Sequence, residues 1–370
     1  MLTFVRMKKI DVSVSNDLFS DNRVNKTCLS LQKLGFDVRL IGRMRKNSPS
    51  MSRPYRFCRM RLLFDKEIWF YAELNIRLFF KLLFSRQDAL WANDLDTLPA
   101  NFLVSKLKRK PLVFDSHEHF TQVPELKENP TARKVWIMVE RCCVPRVNRV
   151  VTVCNTIKNY FKETYGTTAV VVRNIPNKAQ QTAPKIFPEE DTLVWQGATN
   201  VERGLENLLE AMPYINAKLY IAGDGDIKEK LIKEAQRLHL ENKVFFTGRL
   251  TFDEMMERTR KATIGISIDQ PTNKNYASSL PNKIFEYINA SLPILASPLQ
   301  EIKPIIENYG VGECISDITP KNLADTINRM LQDKEKLTVY SDNCRKAQEE
   351  LNWENEEKKI EQIFSQLFKS

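Results

Sequence analysis

The chain is short of glycine, with 11 residues in 370, and has only three histidines. So little glycine excludes a collagenous repeat, and a hydrophobic share of 42% beside a charged share of 28% excludes a disordered chain. No stretch approaches the roughly 20 apolar residues that a membrane-spanning helix needs. The nearest, Ile68 to Phe84, is broken by Glu73, Arg77 and Lys81. The N-terminal VRMKKIDVSVS is expected to be a first strand and not a signal peptide. The seven cysteines are odd in number and lack framework spacing, which fits reduced thiols, with the adjacent Cys142 and Cys143 read as helix packing residues. There is no solenoid repeat, low-complexity tract or nucleic-acid module. What remains is a folded protein expected in the cytoplasm, whose length predicts two domains, each with its own core.

The net charge of +10 is uneven, because residues 1–110 hold 22 Lys and Arg against 10 Asp and Glu. That imbalance predicts an anionic partner for the N-terminal half. Arg53 to Lys81 mixes Arg56, Arg59, Arg61 and Arg77 with Phe57, Trp69, Phe70, Tyr71 and Phe80, a composition that suits peripheral contact with an anionic membrane. The alternative is aromatic residues in the core with arginines as a solvated rim.

Strand and helix patterns alternate along the chain, predicting an α/β fold with parallel sheets. Apolar strands are expected near Ile10–Val14, Val38–Ile41, Ala89–Ala92, Leu112–Phe114, Val150–Val153 and Val170–Val172. A second series is expected near Thr192–Trp195, Lys218–Ile221, Val244–Phe246, Ile264–Ile268 and Pro293–Ala296. Between the series, IPNKAQQTAPKIFPEED has no apolar period and reads as a linker. The divisions are residues 1–176, a linker over 177–190, residues 191–351 and a terminal helix over 352–370. Ligands of doubly wound sheets bind at strand C-termini.

The most informative segment is SSLPNKIFEYINASLPILAS, residues 278–297. Ile284, Phe285 and Ile288 have helical spacing and Pro281 suits a first turn, so the preceding loop sits at a helix N-terminus. Free amides near Ser279 and Leu280, together with Lys283, are then expected to cradle an anionic group such as a diphosphate. Glu286, one turn on, is placed to accept from ribose hydroxyls. LPNKIFEY followed by a turn and PILAS resembles the donor segment of family 4 glycosyltransferases of the GT-B type. That resemblance implies two Rossmann-like domains facing a cleft, an acceptor-side N-terminal domain, a nucleotide-sugar-binding C-terminal domain and a terminal helix crossing back. The family usually carries two glutamates with seven residues between them; Glu286 matches the second, and Ser278 stands in place of the first.

Other segments extend the resemblance. In FDSHEHF, residues 114–120, His117 matches the histidine that lies beside the sugar and acceptor hydroxyl, with Glu118 its charged neighbour. An imidazole neutral near pH 7 suits that role. Alternation of Asp115, His117 and His119 leaves a metal reading open, and a structural histidine is a further alternative. WANDLDTLPA places Asp94 and Asp96 on the acceptor side; a metal-binding D-x-D reading is rejected there, and Asp96 is expected to cap the following helix. In the first loop, Arg23 is expected to contact the acceptor side, with Asp21 as a plain N-cap the alternative. In VWQGATNVERG, Gly197 makes the turn and Arg203 matches the basic residue on the donor diphosphate, while Ala198 replaces a frequent arginine. VFFTGRL resembles the base-binding turn, with the backbone of Arg249 and Leu250 at the nucleobase.

The resemblance implies transfer of a sugar from a nucleotide-diphosphate donor to a hydroxyl acceptor with retention. Neither a metal nor a cofactor is then required, and electrostatic stabilisation of the leaving diphosphate is the protein's task. The basic N-terminal part suggests a lipid-linked acceptor, as in cell-surface polysaccharide or glycolipid assembly. Two alternatives stay open: a nucleotide-sugar epimerase, and a catalytically silent GT-B partner protein, which the serine at position 278 favours.

Overall fold

The computed structural model describes residues 6–368 except 20, 124, 125, 127, 128, 180–183 and 273. It divides into two compact units, one running to Asn174 and resuming at Glu356, the other spanning Ile175–Asn355. The first holds seven parallel strands: β1 Lys9–Asp17, β2 Asp37–Met44, β3 Arg56–Arg61, β4 Ala89–Asn93, β5 Leu112–Ser116, β6 Arg149–Thr152 and β7 Ala169–Val171. Their order is β3-β2-β1-β4-β5-β6-β7. β4 and β5 are buried along their whole length, as parallel strands covered on both faces must be.

The strand β3, RFCRMR, lies within the segment read above as an amphipathic surface. It escapes an apolar-run search because it is an edge strand with three arginines, of which Arg56 and Arg61 are exposed and Arg59 is paired with Asp17 at 3.3 Å. Arg56 grips the Asp37 carboxylate of β2 at 2.8 Å across that edge. The terminal helix Trp353–Leu367 returns to this unit, where Phe364 stacks on Trp91 with ring centroids 5.8 Å apart. Glu356 in the same helix accepts from the Arg173 amide at 2.9 Å.

The second unit has six parallel strands: β8 Thr192–Gln196, β9 Lys218–Ala222, β10 Val244–Gly248, β11 Ile264–Ser267, β12 Ile294–Ala296 and β13 Gly312–Cys314. Their order is β10-β9-β8-β11-β12-β13. β13 was not expected, because three half-buried residues give no apolar signal. Ile175 is fully buried and packs in this unit's core, so the chain joins the second unit before the expected linker begins. Residues 177–179 and 184–190 form neither helix nor strand, and 180–183 lie outside the described residues. None of the seven cysteines forms a disulfide; Cys143 is buried, but Cys142 is exposed and does not pack as expected.

One contact fixes the helix Asn282–Asn289 on the sheet. A Cβ at Gly265 of β11 would lie 2.6 Å from the Tyr287 ring, so only glycine admits that ring. The Tyr287 hydroxyl then reaches the carbonyls of Val194 at 3.3 Å and Ile266 at 3.1 Å. This anchors the neighbouring Lys283 and Glu286 above the C-terminal ends of β8 and β11.

Candidate functional site

In the first unit the site forms where β4 and β5 end. Asp94 follows β4 with a left-handed φ of 58°, a conformation that a short polar side chain tolerates better than most. Its amide donates to the Asp115 carbonyl at 2.8 Å, and its carboxylate accepts from the His117 amide at 2.9 Å. The same carboxylate lies 3.0 Å from His117 Nδ1, while Nε2 lies 3.3 Å from Asp115 Oδ2 without an aligned hydrogen bond. Burial alone would lower the imidazole pKa, but the Asp94 and Asp115 carboxylates outweigh it and raise it to about 10. His117 is therefore a cation at neutral pH, and the neutral imidazole expected from the sequence is corrected.

Arg23 is also corrected. Rather than presenting itself to a ligand, it is buried and bidentate on Asp115, at 2.7 and 3.3 Å, with Nη1 donating to the Val172 carbonyl at 2.8 Å. Burial would raise the Asp115 pKa, yet Arg23 and His117 together hold it far below the usual carboxylate range. Asp21 is the N-cap of the helix Asn22–Lys33 and accepts from the Val24 amide at 3.0 Å. Asp96 caps nothing: Thr97 is the N-cap of Leu98–Lys108, and Asp96 is buried, pushed up to about 7 by burial and by Asp94. Glu118 is exposed. His119 leans on Tyr160, ring centroids 4.0 Å apart, so it does not complete a cluster with Asp115 and His117.

In the second unit the turn after β8 carries Arg203. Gly197 has φ 140° and Gly223 φ 153°, and a Cβ on Gly223 would lie 1.8 Å from the Gly197 carbonyl, so two strand ends meet backbone to backbone. The Gln270 amide donates to the Glu202 carbonyl at 2.9 Å and brings the turn to the end of β11. There Asp269, fully buried, receives Arg203 at 3.1 Å and Lys283 at 3.3 Å. The Arg203 guanidinium lies 4.4 Å over the Tyr276 ring and the Lys283 ammonium 4.6 Å over the Trp195 ring, so aromatic faces hold both cations. Burial lowers the Lys283 pKa, opposed by Asp269. Glu286 is half-buried and accepts from the Gln196 amide.

The loop before this helix differs from the cradle expected. The Ser279 amide is not free; it donates to the Tyr276 carbonyl at 3.0 Å, and the Ser279 hydroxyl donates there at 2.9 Å. Leu280 packs against the core, Ser278 is half-buried, and Pro281 is the N-cap without a side-chain bond. Arg249 is exposed and lies 3.6 Å from Asp224, and Leu250 is half-buried. Three residues were missed: Asp269, Gln196 and Thr259. The one available signal was an acid directly after the apolar strand ending ISI.

Residues 22–177 match the Glycosyltransferase Family 4 model, and residues 177–347 match Glycosyl transferases group 1. An uncharacterized glycosyltransferase of Methanocaldococcus jannaschii is 25% identical over 183 residues, which is 48% of this chain and 45% of that protein. The chain thus spans less than half the length of this curated relative. Among solved structures, sucrose-phosphate synthase from Thermosynechococcus elongatus superposes with a TM-score of 0.81 at 16% identity, covering 98% of this chain and 99% of that one. Anabaena HepE in complex with UDP-glucose gives 0.73 at 13% identity, covering 97% and 99%. These likenesses show the fold, and with the two consecutive family models the chain belongs to the family 4-like glycosyltransferases of the GT-B type.

Proposed function

We propose that the protein transfers a sugar from a nucleoside diphosphate sugar to a hydroxyl acceptor, with retention of anomeric configuration and without a metal ion. The observation that carries the reading is the pairing of Arg203 and Lys283 on one buried carboxylate, Asp269. Asp269 holds the two cations side by side, and in this reading the leaving diphosphate is the anion they receive. As the bond from the anomeric carbon to the phosphate oxygen breaks, the acceptor oxygen bonds to the same face and its proton passes to the departing phosphate. Stabilising the charge that develops is worth about 10²–10³ in turnover for a single well-placed donor. A cationic His117, held by Asp94 and Asp115, serves as a fixed hydrogen-bond donor to the sugar or acceptor hydroxyls. Glu286 accepts from the donor ribose. HepE is a protein of the same fold solved with UDP-glucose, which favours a nucleotide-sugar donor here.

The acceptor side faces an anionic lipid surface in this reading. Leu63, Ile68, Trp69, Ile76 and Phe84 are between 59% and 82% exposed, and Arg61, Lys66 and Lys81 are exposed among them. Phe70, in the helix Glu67–Leu83 that also carries Ile68, Trp69 and Ile76, is buried, so the aromatic residues divide between core and surface. No helix among the described residues is long and apolar enough to cross a membrane, which makes peripheral docking the fitting mode.

The test is release of nucleoside diphosphate from UDP-, GDP- and ADP-sugars with and without polyprenyl phosphate-linked or soluble glycan acceptors. Acceptor-dependent release that persists in EDTA supports the reading. Isomerisation of the free nucleotide sugar marks an epimerase instead. Loss of activity in EDTA, restored by Mn²⁺ or Mg²⁺, contradicts the metal-free mechanism.

A further inference from the structure

Glu286 is held from outside its own helix by a hydrogen-bonded chain crossing three elements. Gln196 at the end of β8 is 1% exposed and donates through Nε2 to Glu286 Oε2. Its Oε1 accepts at 2.9 Å from the hydroxyl of Thr259, which is fully buried in the helix Phe252–Lys261. The amide turns its NH₂ toward Glu286 and its oxygen toward Thr259, the one arrangement that suits an ionised carboxylate, which only accepts. The single Thr259 hydrogen has a competing acceptor, the Met255 carbonyl at 2.7 Å. Only donation to Gln196 fixes the amide in the orientation that suits an ionised Glu286.

We propose that Gln196, itself oriented by Thr259, is a positioning residue that sets the preference of the donor site for ribonucleotides over 2′-deoxyribonucleotides. The proposal rests on the reading that Glu286 accepts from the donor ribose. A carboxylate clamped in one rotamer discriminates between a ribose that offers two hydroxyls and one that offers a single hydroxyl. A carboxylate free to turn follows whichever hydroxyl remains.

The experiment is calorimetric titration with UDP and 2′-deoxy-UDP, or with the GDP or ADP pair if it binds more tightly. Wild type, Gln196→Met, Thr259→Val, Thr259→Ser and Glu286→Gln are compared, each checked for folding by thermal melting. Wild type is expected to prefer the ribonucleotide by about tenfold, the scale of a hydrogen bond to a charged group. Gln196→Met and Thr259→Val should reduce that ratio to within about threefold, as Glu286→Gln does, while Thr259→Ser keeps it. A merely structural role would weaken both nucleotides equally and leave the ratio intact. If Glu286→Gln loses the preference but Gln196→Met and Thr259→Val retain it, the positioning role is wrong and the ribose site stands. If Glu286→Gln retains it, or wild type shows none, the ribose assignment fails and the proposal with it. Should Gln196→Met fail to fold, Thr259→Val against Thr259→Ser decides.

Discussion

In the first unit one imidazole, His117, lies between the carboxylates of Asp94 and Asp115, with Asp96 buried nearby. In the second unit the arrangement is inverted, and one carboxylate, Asp269, is shared by Arg203 and Lys283. The acid-rich site fastens its cation from both sides and is closed behind by the bidentate pair of Arg23 and Asp115. The second site sets two cations on the acid they share. Two sheets of similar topology thus end in opposite arrangements, a cation between acids in one and an acid between cations in the other, and the function proposed above has the second receive an anion.

The largest expected effect comes from removing the central acid on each side. Asp115→Asn leaves Arg23 buried without its ionic partner, at a cost of about 3–5 kcal/mol, and its gain from nucleotide should equal that of wild type because Arg203 and Lys283 are untouched. Asp269→Asn should also destabilise the free protein, but a bound diphosphate takes the place of the lost anion, so its gain should exceed that of wild type. A ligand at a hundredfold excess over its Kd adds about 2.7 kcal/mol to any form that binds it, so the two variants should separate in thermal melts at one fixed concentration of UDP, GDP or ADP. Equal gains for both variants would remove the contrast.

A second effect concerns pH. The folded pKa of His117 is raised to about 10 from an ordinary 6.5, so its contribution to stability is complete below 6.5 and is lost as pH rises toward 10. Wild type should therefore lose more stability between pH 7 and 10 than His117→Gln does. Turnover of His117→Gln should fall far more than its nucleotide affinity. NMR titration of the three histidines checks the charge state directly, with one imidazole staying protonated past pH 8.

Asp96 gives a smaller effect of the same kind. Its folded pKa is raised to about 7 from 3.8, so the folded state binds more protons and stability falls as pH rises from about 4 to 7. Asp96→Asn abolishes that loss, and its melting temperature should gain on wild type at pH 8 relative to pH 4. The least effect is on membrane docking, where each basic side chain contributes about 1 kcal/mol. Arg61→Ser with Lys81→Ser should weaken co-sedimentation with anionic vesicles but not with neutral ones, whereas Trp69→Ser should weaken both.

The sheets were largely legible in the sequence, because buried parallel strands read as apolar runs such as LVFDS and TLVWQ. β3 and β13 were not, since an arginine-lined edge and a three-residue strand carry no such run. Lys283 and Glu286 were legible because one helix carries them both. Asp269 was not, as its partners stand 14 and 66 residues away and no local spacing links them. Gln196 lies 90 residues from Glu286 for the same reason. The identity of His117 was readable but its charge was not, because that depends on Asp94, 23 residues earlier, meeting it across two strand ends.

The most direct test of the account is titration of wild type and Lys283→Met with UDP, GDP and ADP and with the matching nucleosides. Methionine keeps the bulk of the buried side chain and leaves Asp269 paired with Arg203 alone. The account predicts that the preferred diphosphate binds at least about tenfold more weakly to Lys283→Met while the nucleoside is unaffected, as expected for loss of one charged hydrogen bond. Unchanged diphosphate affinity, or an equal loss for diphosphate and nucleoside, would contradict the assignment of Arg203 and Lys283 as the diphosphate site.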